Sequence, residues 1–278
     1  MGLTKTQSGG LEDQSVTLAK LEHGTSSNDG KFLRANNGAD PTFETVSGGV
    51  SSDGQRNTVA GTGAGASFSG TDANDNSLFG QNAGNNITTG DENTAIGLFA
   101  LEDTTTGSTN VAVGDSALRR NTSASNNTAV GKAALALNTT GTSNVALGAL
   151  ALDANTTGNN NTALGEHSLG ANQTGQYNTG VGQGALFKST ADSNTAVGNH
   201  ALLENTTGTQ NVAVGANAGD AITTGSLNVA IGLEALTAAT TSGENTCVGG
   251  AAGRYIGSGQ YNTAIGRSSL HSTLSGTT

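Results

Sequence analysis

The sequence predicts an all-β protein: a parallel β-solenoid, or β-roll, of about twelve coils, preceded by a short N-terminal attachment segment. Three observations lead to this fold class. A pentapeptide of the form Asn-x-small-apolar-Gly recurs about every 17 residues over residues 76–278. The 43 glycines, with only 3% aromatic and 12% charged residues, do not suit a conventional globular core. A 17-residue unit cannot bury a core alone, so similar units must stack.

The repeat is regular enough to number its positions from 1 to 17, starting at the asparagine. Every spacing between successive asparagines is 17 residues except one of 16, between Asn178 and Asn194. A degenerate copy, NTVAG, begins at Asn57. At a strand spacing of ~4.8 Å, twelve coils would span roughly 53 Å. Each coil is named here by the number of its first residue, and the twelve begin at Asn76, Asn93, Asn110, Asn127, Asn144, Asn161, Asn178, Asn194, Asn211, Asn228, Asn245 and Asn262.

Each coil is expected to contain two short strands. Positions 2 to 4 mostly hold Thr or Val, then Ala, then an aliphatic residue, and we expect positions 2 and 4 to face the interior. The glycine present at position 5 of every coil marks a corner that needs a positive φ or a close backbone approach. Ala and Leu at positions 8 and 9 form the second apolar segment, and a Thr-Thr-Gly turn closes the coil. The expected interior is therefore lined by positions 2, 4, 8 and 9.

A compensating exchange between positions 9 and 12 supports the stacking. Three coils have Gly instead of Leu at position 9, and the same three have Ile at position 12. Such an exchange is expected when both positions fill one interior of fixed volume. The exchanged pairs are Gly84 with Ile87, Gly219 with Ile222, and Gly253 with Ile256.

The asparagine at position 1 of all twelve coils predicts a side-chain ladder along the solenoid. In such a ladder each amide bonds to the asparagine of the coil above and below. A carbohydrate or metal ligand is the alternative role for these asparagines, but a ligand site rarely needs twelve copies. The residues assigned to this structural ladder, with the corner glycines, are Asn93, Asn110, Asn127, Asn144, Asn161, Gly97, Gly114, Gly131, Gly148 and Gly165.

Composition and residue spacing argue against several classes of function. The formal net charge of −10 disfavours nucleic-acid binding, and no apolar run is long enough for membrane insertion. His167 and His200 both occupy position 7 but lie two coils apart, so we do not expect them to share a metal. Cys247 replaces the small residue at position 3 and is expected to be buried rather than nucleophilic. We therefore expect no enzymatic activity, no catalytic or metal site and no cofactor.

A core of about four small side chains per coil is thin, so we expect copies of the chain to associate. Small residues at positions 3 and 8 would let neighbouring backbones approach closely. NTAVG, NVAVG and NVAIG, followed by Ala-Leu, resemble the head repeats of YadA-like trimeric autotransporter adhesins. That resemblance covers residues 76–278 and implies left-handed β-rolls joined as homotrimers. The 17-residue period is longer than the coil of that family, so its turn geometry is not carried over.

The N-terminal segment supplies a second resemblance. Residues 11–24 read LEDQSVTLAKLEHG, and residues 30–46 read GKFLRANNGADPTFETV. Both stretches resemble N-terminal segments of bacteriophage tail fibres, and 17-residue arrays similar to this one also occur in tail-fibre-like proteins. The resemblance implies that residues 1–45 attach to another virion protein. Residues 46–75 are a Gly- and Ser-rich transition with a degenerate first coil, and residues 76–278 form the solenoid.

The expected function is mechanical: a rigid trimeric shaft of a phage tail fibre or virion appendage, extracellular, that contributes to host attachment. A host glycan or protein would contact loops such as Phe187-Lys188 and Arg254-Tyr255. The alternatives are a trimeric bacterial surface adhesin and a stand-alone ice-binding solenoid. Ice binding is disfavoured because adjacent threonines on a strand face opposite ways. A polysaccharide-degrading tailspike is disfavoured because the acidic residues form no recurring pair.

Overall fold

The computed structural model describes residues 31–36, 39–45, 51–68 and 72–270. The chain divides into two compact units, Met1–Gly49 and Val50–Thr278. In the first unit, β1 (Lys31–Asn36) pairs with β2 (Ala39–Thr45) as an antiparallel hairpin. The other predicted stretch of the attachment segment, residues 11–24, lies outside the described residues.

In the described part of the second unit, 14 strands form one sheet and follow each other in chain order. β3 (Ser51–Ser52) pairs antiparallel with β4 (Thr58–Ala60), and all later pairs are parallel and in register. The described residues contain no helix, which confirms the predicted all-β parallel solenoid. The remaining strands are β5 (Ser77–Phe79), β6 (Thr94–Ile96), β7 (Val111–Val113), β8 (Thr128–Val130), β9 (Val145–Leu147), β10 (Thr162–Leu164), β11 (Thr179–Val181), β12 (Thr195–Val197), β13 (Val212–Val214), β14 (Val229–Ile231), β15 (Thr246–Val248) and β16 (Thr263–Ile265).

Each coil contains one strand, so the predicted second strand at positions 8 and 9 is wrong. These positions lie in a run of turns, and position 9 adopts the left-handed backbone conformation. The φ angle is 49° at Leu118 and 56° at Leu236. A positive φ is incompatible with an extended strand, and it turns the chain back around the interior.

The predicted orientation of the strand is also wrong, because position 3 faces the interior and positions 2 and 4 face outward. Ala112 is fully buried, whereas Val111 and Val113 beside it are only half-buried. Asn110 at position 1 is buried, and alternation along the strand then requires position 3 on the same side. Small residues at positions 3 and 8 therefore line the interior and do not bring neighbouring chains together, contrary to the expectation from sequence.

The interior of the solenoid is made of positions 3, 8, 9 and 12. The leucines at position 9 and the isoleucines at position 12 are among the largest fully buried side chains. A β-carbon at Gly219 would lie 3.0 Å from Cδ1 of Ile222 and 3.1 Å from Cδ2 of Leu202. The isoleucine thus occupies the volume that a leucine fills in other coils, which explains the exchange seen in the sequence.

The corner glycine at position 5 meets both requirements inferred from the sequence. Gly114 has a φ of 137°, and a β-carbon there would lie 2.5 Å from the carbonyl oxygen of Gly131. Side chains cannot occupy that space, because the next coil packs directly against the corner. The same backbone approach recurs at Gly97, Gly131, Gly148 and Gly165.

Two leucines of coil 127 test the division between interior and surface. Leu135 at position 9 is fully buried, whereas Leu137 at position 11 is 41% exposed. We expect Leu135→Ala to lower the free energy of unfolding by about 2–5 kcal/mol, because it leaves a cavity. Leu137→Ala, the matched control, should change it by less than about 0.5 kcal/mol. Denaturant unfolding measures both values, and equal losses would contradict the assignment of the interior.

Candidate functional site

The position 1 asparagines form a continuous hydrogen-bonded ladder through the interior. The backbone N–H of Asn161 donates to Oδ1 of Asn144 at 3.0 Å, and Nδ2 of Asn161 donates to the same oxygen at 3.1 Å. Nδ2 of Asn161 also donates to the carbonyl of Gly175 in its own coil, at 2.8 Å. The backbone bond to the preceding asparagine occurs in all twelve coils, including the five assigned from sequence.

This arrangement gives each asparagine a structural role. The side chains are buried, so a ligand in solution cannot reach them. Each amide joins two coils through its oxygen and closes its own coil through its nitrogen. A buried backbone N–H that would otherwise be without a partner is thereby satisfied.

A second asparagine ladder, at position 12, was missed by the reasoning from sequence. Nδ2 of Asn138 donates to Oδ1 of Asn121 at 3.0 Å, and Nδ2 of Asn155 donates to Oδ1 of Asn138 at 2.8 Å. The carbonyl of Gly141 accepts from both ladders, at 2.9 Å from Asn127 and 2.9 Å from Asn138. The frequent Asn at position 12 was the available signal. This ladder is discontinuous, and Oδ1 of Asn155 is buried without a partner.

The threonines at position 13 also serve the stacking of coils. Oγ1 of Thr122 donates to the carbonyl of Thr139 at 3.0 Å, and Oγ1 of Thr139 donates to the carbonyl of Thr156 at 2.9 Å. These hydroxyl groups therefore bond to the backbone of the following coil. They do not form a free hydroxyl array on a flat surface.

The strands present a surface of two parallel ranks, which we call the outer sheet face. Position 2 supplies a rank of mostly Thr and Val, and position 4 supplies a rank of apolar residues. Leu147 is 44% exposed and Leu164 is 40% exposed. Neither rank contains a charged residue. The position 4 rank consists of Phe79, Ile96, Val113, Val130, Leu147, Leu164, Val181, Val197, Val214, Ile231, Val248 and Ile265.

The first predicted contact pair, Phe187 and Lys188, lies at positions 10 and 11 of coil 178. The Phe187 ring meets the His167 ring edge-on, with 5.8 Å between centroids and 88° between planes. Nζ of Lys188 lies 2.6 Å from Oε2 of Glu204 in the next coil. Phe187 therefore contacts the preceding coil, and Lys188 contacts the following coil.

The second predicted contact pair, Arg254 and Tyr255, occupies the same positions in coil 245. A guanidinium nitrogen of Arg254 lies 2.9 Å from Oε2 of Glu234. The guanidinium carbon also lies 5.7 Å from the centroid of the Tyr255 ring. Both predicted pairs therefore lie on one side of the solenoid but four coils apart, and they do not form a common site.

Ionisable groups near the interior show the effect of burial. Burial raises the pKa of the Cys247 thiol to about 11, so the thiol stays protonated at neutral pH. Burial also raises the pKa of the Asp153 and Asp220 carboxyls above the ordinary value. These two carboxyls lie in coils 144 and 211, too far apart to act as the pair that a glycosidase uses.

Among residues 52–68 and 72–270, no three His, Cys, Asp or Glu side chains lie close enough together to hold a metal ion. No helix in the described part of the chain is long and apolar enough to cross a bilayer. Comparison with protein-family models, curated proteins and solved structures finds no match to the chain. Function has therefore to be inferred from the geometry of the solenoid itself.

The ladder predicts a large penalty for removing one internal amide. Asn144→Ala leaves the buried backbone N–H of Asn161 without its acceptor, so we expect a loss of about 3 kcal/mol in the free energy of unfolding. Asn199→Ala is the matched control, because the exposed Asn199 side chain bonds only to the exposed Gln183. The control should lose less than about 0.5 kcal/mol. Similar losses in denaturant unfolding would refute the structural importance of the ladder.

Thiol reactivity provides a test at pH 8. Because Cys247 is buried and its pKa is raised to about 11, we expect no alkylation by iodoacetamide in the folded protein. In guanidinium chloride the thiol should react at the rate of a free cysteine peptide. Mass spectrometry follows the adduct, and rapid labelling without denaturant would show that coil 245 is open at this point.

Proposed function

We propose that the chain is a structural fibre protein, the rigid shaft of a phage tail fibre or similar virion appendage, and that three copies associate through their outer sheet faces. The observation that carries the proposal is the uncharged double rank of positions 2 and 4. Aliphatic side chains such as Leu147 and Leu164 are partly exposed there. Covering these apolar side chains lowers the free energy of the chain, because it removes apolar surface from water.

The outer sheet face is continuous along the solenoid, and this continuity supports association. Twelve strands of three residues cover roughly 500 Å², taking about 4.8 Å per strand and about 3.3 Å per residue. This size is similar to the largest apolar patch of a typical monomer, about 300–600 Å², and such patches are often functional. Three faces meeting at one axis would together bury roughly 1,500 Å², or about 500 Å² for each pair of chains, which is small for a specific interface; the proposal therefore relies on the continuity of the uncharged face and not on its area.

A second copy of the same chain is the partner that fits this face. Its ranks repeat with the coil spacing, so two faces of the same chain match along their whole length. Closed cyclic symmetry is the usual arrangement for such contacts. The resemblance to YadA-like heads supplies the number three, and the outer sheet face supplies the surface.

The mechanical role follows from the two ladders and the in-register sheet. Neighbouring coils bond through backbone groups and the position 1 amides, and most also bond through the threonine hydroxyls of position 13. Bending the stack would stretch many of these bonds together, so the solenoid is suited to a stiff spacer. The N-terminal segment would attach the shaft to another virion protein, and host glycans or proteins would contact the side of the coils.

A trimeric bacterial surface adhesin is the second candidate, favoured by the NTAVG-type motif itself. It would use the same outer sheet face but be located on a cell surface. An ice-binding solenoid is less well supported, because position 4 is apolar in every coil and position 2 includes Val in four of them. A flat threonine array is therefore not formed on this face.

The oligomeric state tests the association. We expect light scattering to give a native mass about three times the 27.2 kDa of the chain. Leu147→Glu combined with Leu164→Glu should yield monomers, because six carboxylates would be buried in the trimer. Leu137→Glu, an exposed leucine away from the strands, is the control and should stay trimeric. A monodisperse wild-type monomer would overturn the proposal, and unchanged circular dichroism would separate dissociation from unfolding.

The place where the protein is found distinguishes the tail fibre from the surface adhesin. Immunogold electron microscopy with an antibody against the solenoid should label an appendage on virions of the phage that carries the gene. Label confined to the surface of bacterial cells would overturn the tail-fibre proposal and support the adhesin.

A further inference from the structure

A surface recess lies beside coil 178, and it is not lined by residues 191–193, where that coil is one residue short. Coil 178 has 16 residues, whereas the other coils have 17. Next to it lies a cavity of about 300 Å³, bordered by side chains of coils 161, 178 and 194. We call this cavity the coil 178 recess. Its apolar lining is Phe187 and Leu203, and its polar rim includes Gln183, Lys188 and Glu204.

Two glycines shape the recess. A β-carbon at Gly170 would lie 2.9 Å from Cε2 of Phe187, and one at Gly184 would lie 2.7 Å from Cδ2 of His200. Both rings therefore lie against glycine backbone of the preceding coil. His167, which belongs to the same preceding coil as Gly170, also restrains the Phe187 ring through the edge-on contact. The Phe187 ring is thus held in place before any ligand arrives, which lowers the entropy cost of binding.

Between coils 93 and 110 the equivalent space is closed by side chains. There the position 10 side chain Arg119 covers the position 7 ring of Phe99, with 4.8 Å from the guanidinium carbon to the ring centroid. In coil 178, position 7 is Gly184 and offers no ring for Leu203 to cover. The missing side chain leaves room between coils 178 and 194, which the His200 ring fills in part.

The rim of the recess is polar but has no net charge. Nζ of Lys188 and Oε2 of Glu204 are 2.6 Å apart, so the two charges neutralise each other. The ammonium group keeps further N–H donors, the carboxylate keeps acceptor sites, and Gln183 adds an amide. The rim therefore offers both donors and acceptors beside an apolar lining, an arrangement that suits a neutral ligand rich in hydroxyl groups.

We propose that the coil 178 recess binds one neutral pyranose residue of a carbohydrate. A pyranose ring has an apolar C–H face that fits the ring of Phe187 and the side chain of Leu203, while its hydroxyls lie at the edge, where the polar rim can bond them. The volume is at the small end of ligand cavities, which suits one ring. The inference rests on the proposed function, because it names a ligand class for the predicted contact at Phe187 and Lys188. The recess is built within one chain, so a failure to bind glycosides would leave the trimeric shaft standing, and a monomeric chain could still bind them.

The test is saturation-transfer difference NMR on the full chain with methyl glycosides of glucose, galactose, mannose and N-acetylglucosamine, and with glucuronate as a charged comparison. We expect saturation transfer to the ring C–H protons of at least one neutral glycoside. Absence of transfer to all four would overturn the proposal. A preference for glucuronate would overturn the assignment of a neutral ligand.

Three variants locate the binding. Phe187→Ala should weaken the affinity for the glycoside at least tenfold because it removes the aromatic part of the apolar lining. Gly184→His should abolish binding by filling the opening. The backbone accommodates it because His167 and His200 adopt the same positive φ at position 7, but the His200 ring, which the new β-carbon would meet at 2.7 Å, has to move aside. Phe99→Ala, the matched aromatic control outside the recess, should bind like the wild type. Unchanged binding in Gly184→His, with thermal melting confirming that it is folded, would refute the site.

Discussion

The buried amide of the position 1 asparagine is the interaction on which the rest of the structure depends. Its oxygen accepts the backbone N–H of the next coil, and its nitrogen closes its own coil onto the position 15 carbonyl, as at Asn161 and Gly175. One side chain therefore fixes both the register between coils and the path of each coil. The Ala, Ala and Leu side chains of one coil form too small a core for that coil to fold alone. The coils therefore fold together as one cooperative unit, and the repeated asparagine bond is part of it.

The same constraint determines the outside of the molecule. Because position 1 is held inside, alternation places position 3 inside and positions 2 and 4 outside. The asparagine ladder thus determines which positions form the outer sheet face, and the proposed trimer uses a surface whose orientation the ladder fixes. The positions that take no part in the interior, such as 7, 10 and 11, can vary without disturbing the stack. Gly184, Phe187 and Lys188 belong to these positions, which is why a recess can form there while the interior stays regular.

Much of the fold could be predicted from the sequence because it depends on repeated identities. The period, the corner at Gly114 and the exchange of Gly219 with Ile222 all follow from comparing one coil with the next. The orientation of the strand could not, since Ala at position 3 and Thr or Val at position 2 are both acceptable inside. The left-handed backbone at Leu118 was hidden because leucine rarely adopts it. The recess was missed for a related reason: the contacts of its glycines with the rings of the following coil appear only once the turns at positions 6 to 11 are known.

Hydrogen exchange read at single residues tests the central claim most directly. If the ladder holds the coils in register, the backbone amides of Asn144 and Asn161 should exchange only through unfolding of the stack and be among the slowest in the protein. The amide of Ala149, an exposed residue of the same coil as Asn144, should exchange much faster. Exchange of Asn144 and Asn161 as fast as that of Ala149 would contradict the account, because the amide ladder would then not restrain the backbone.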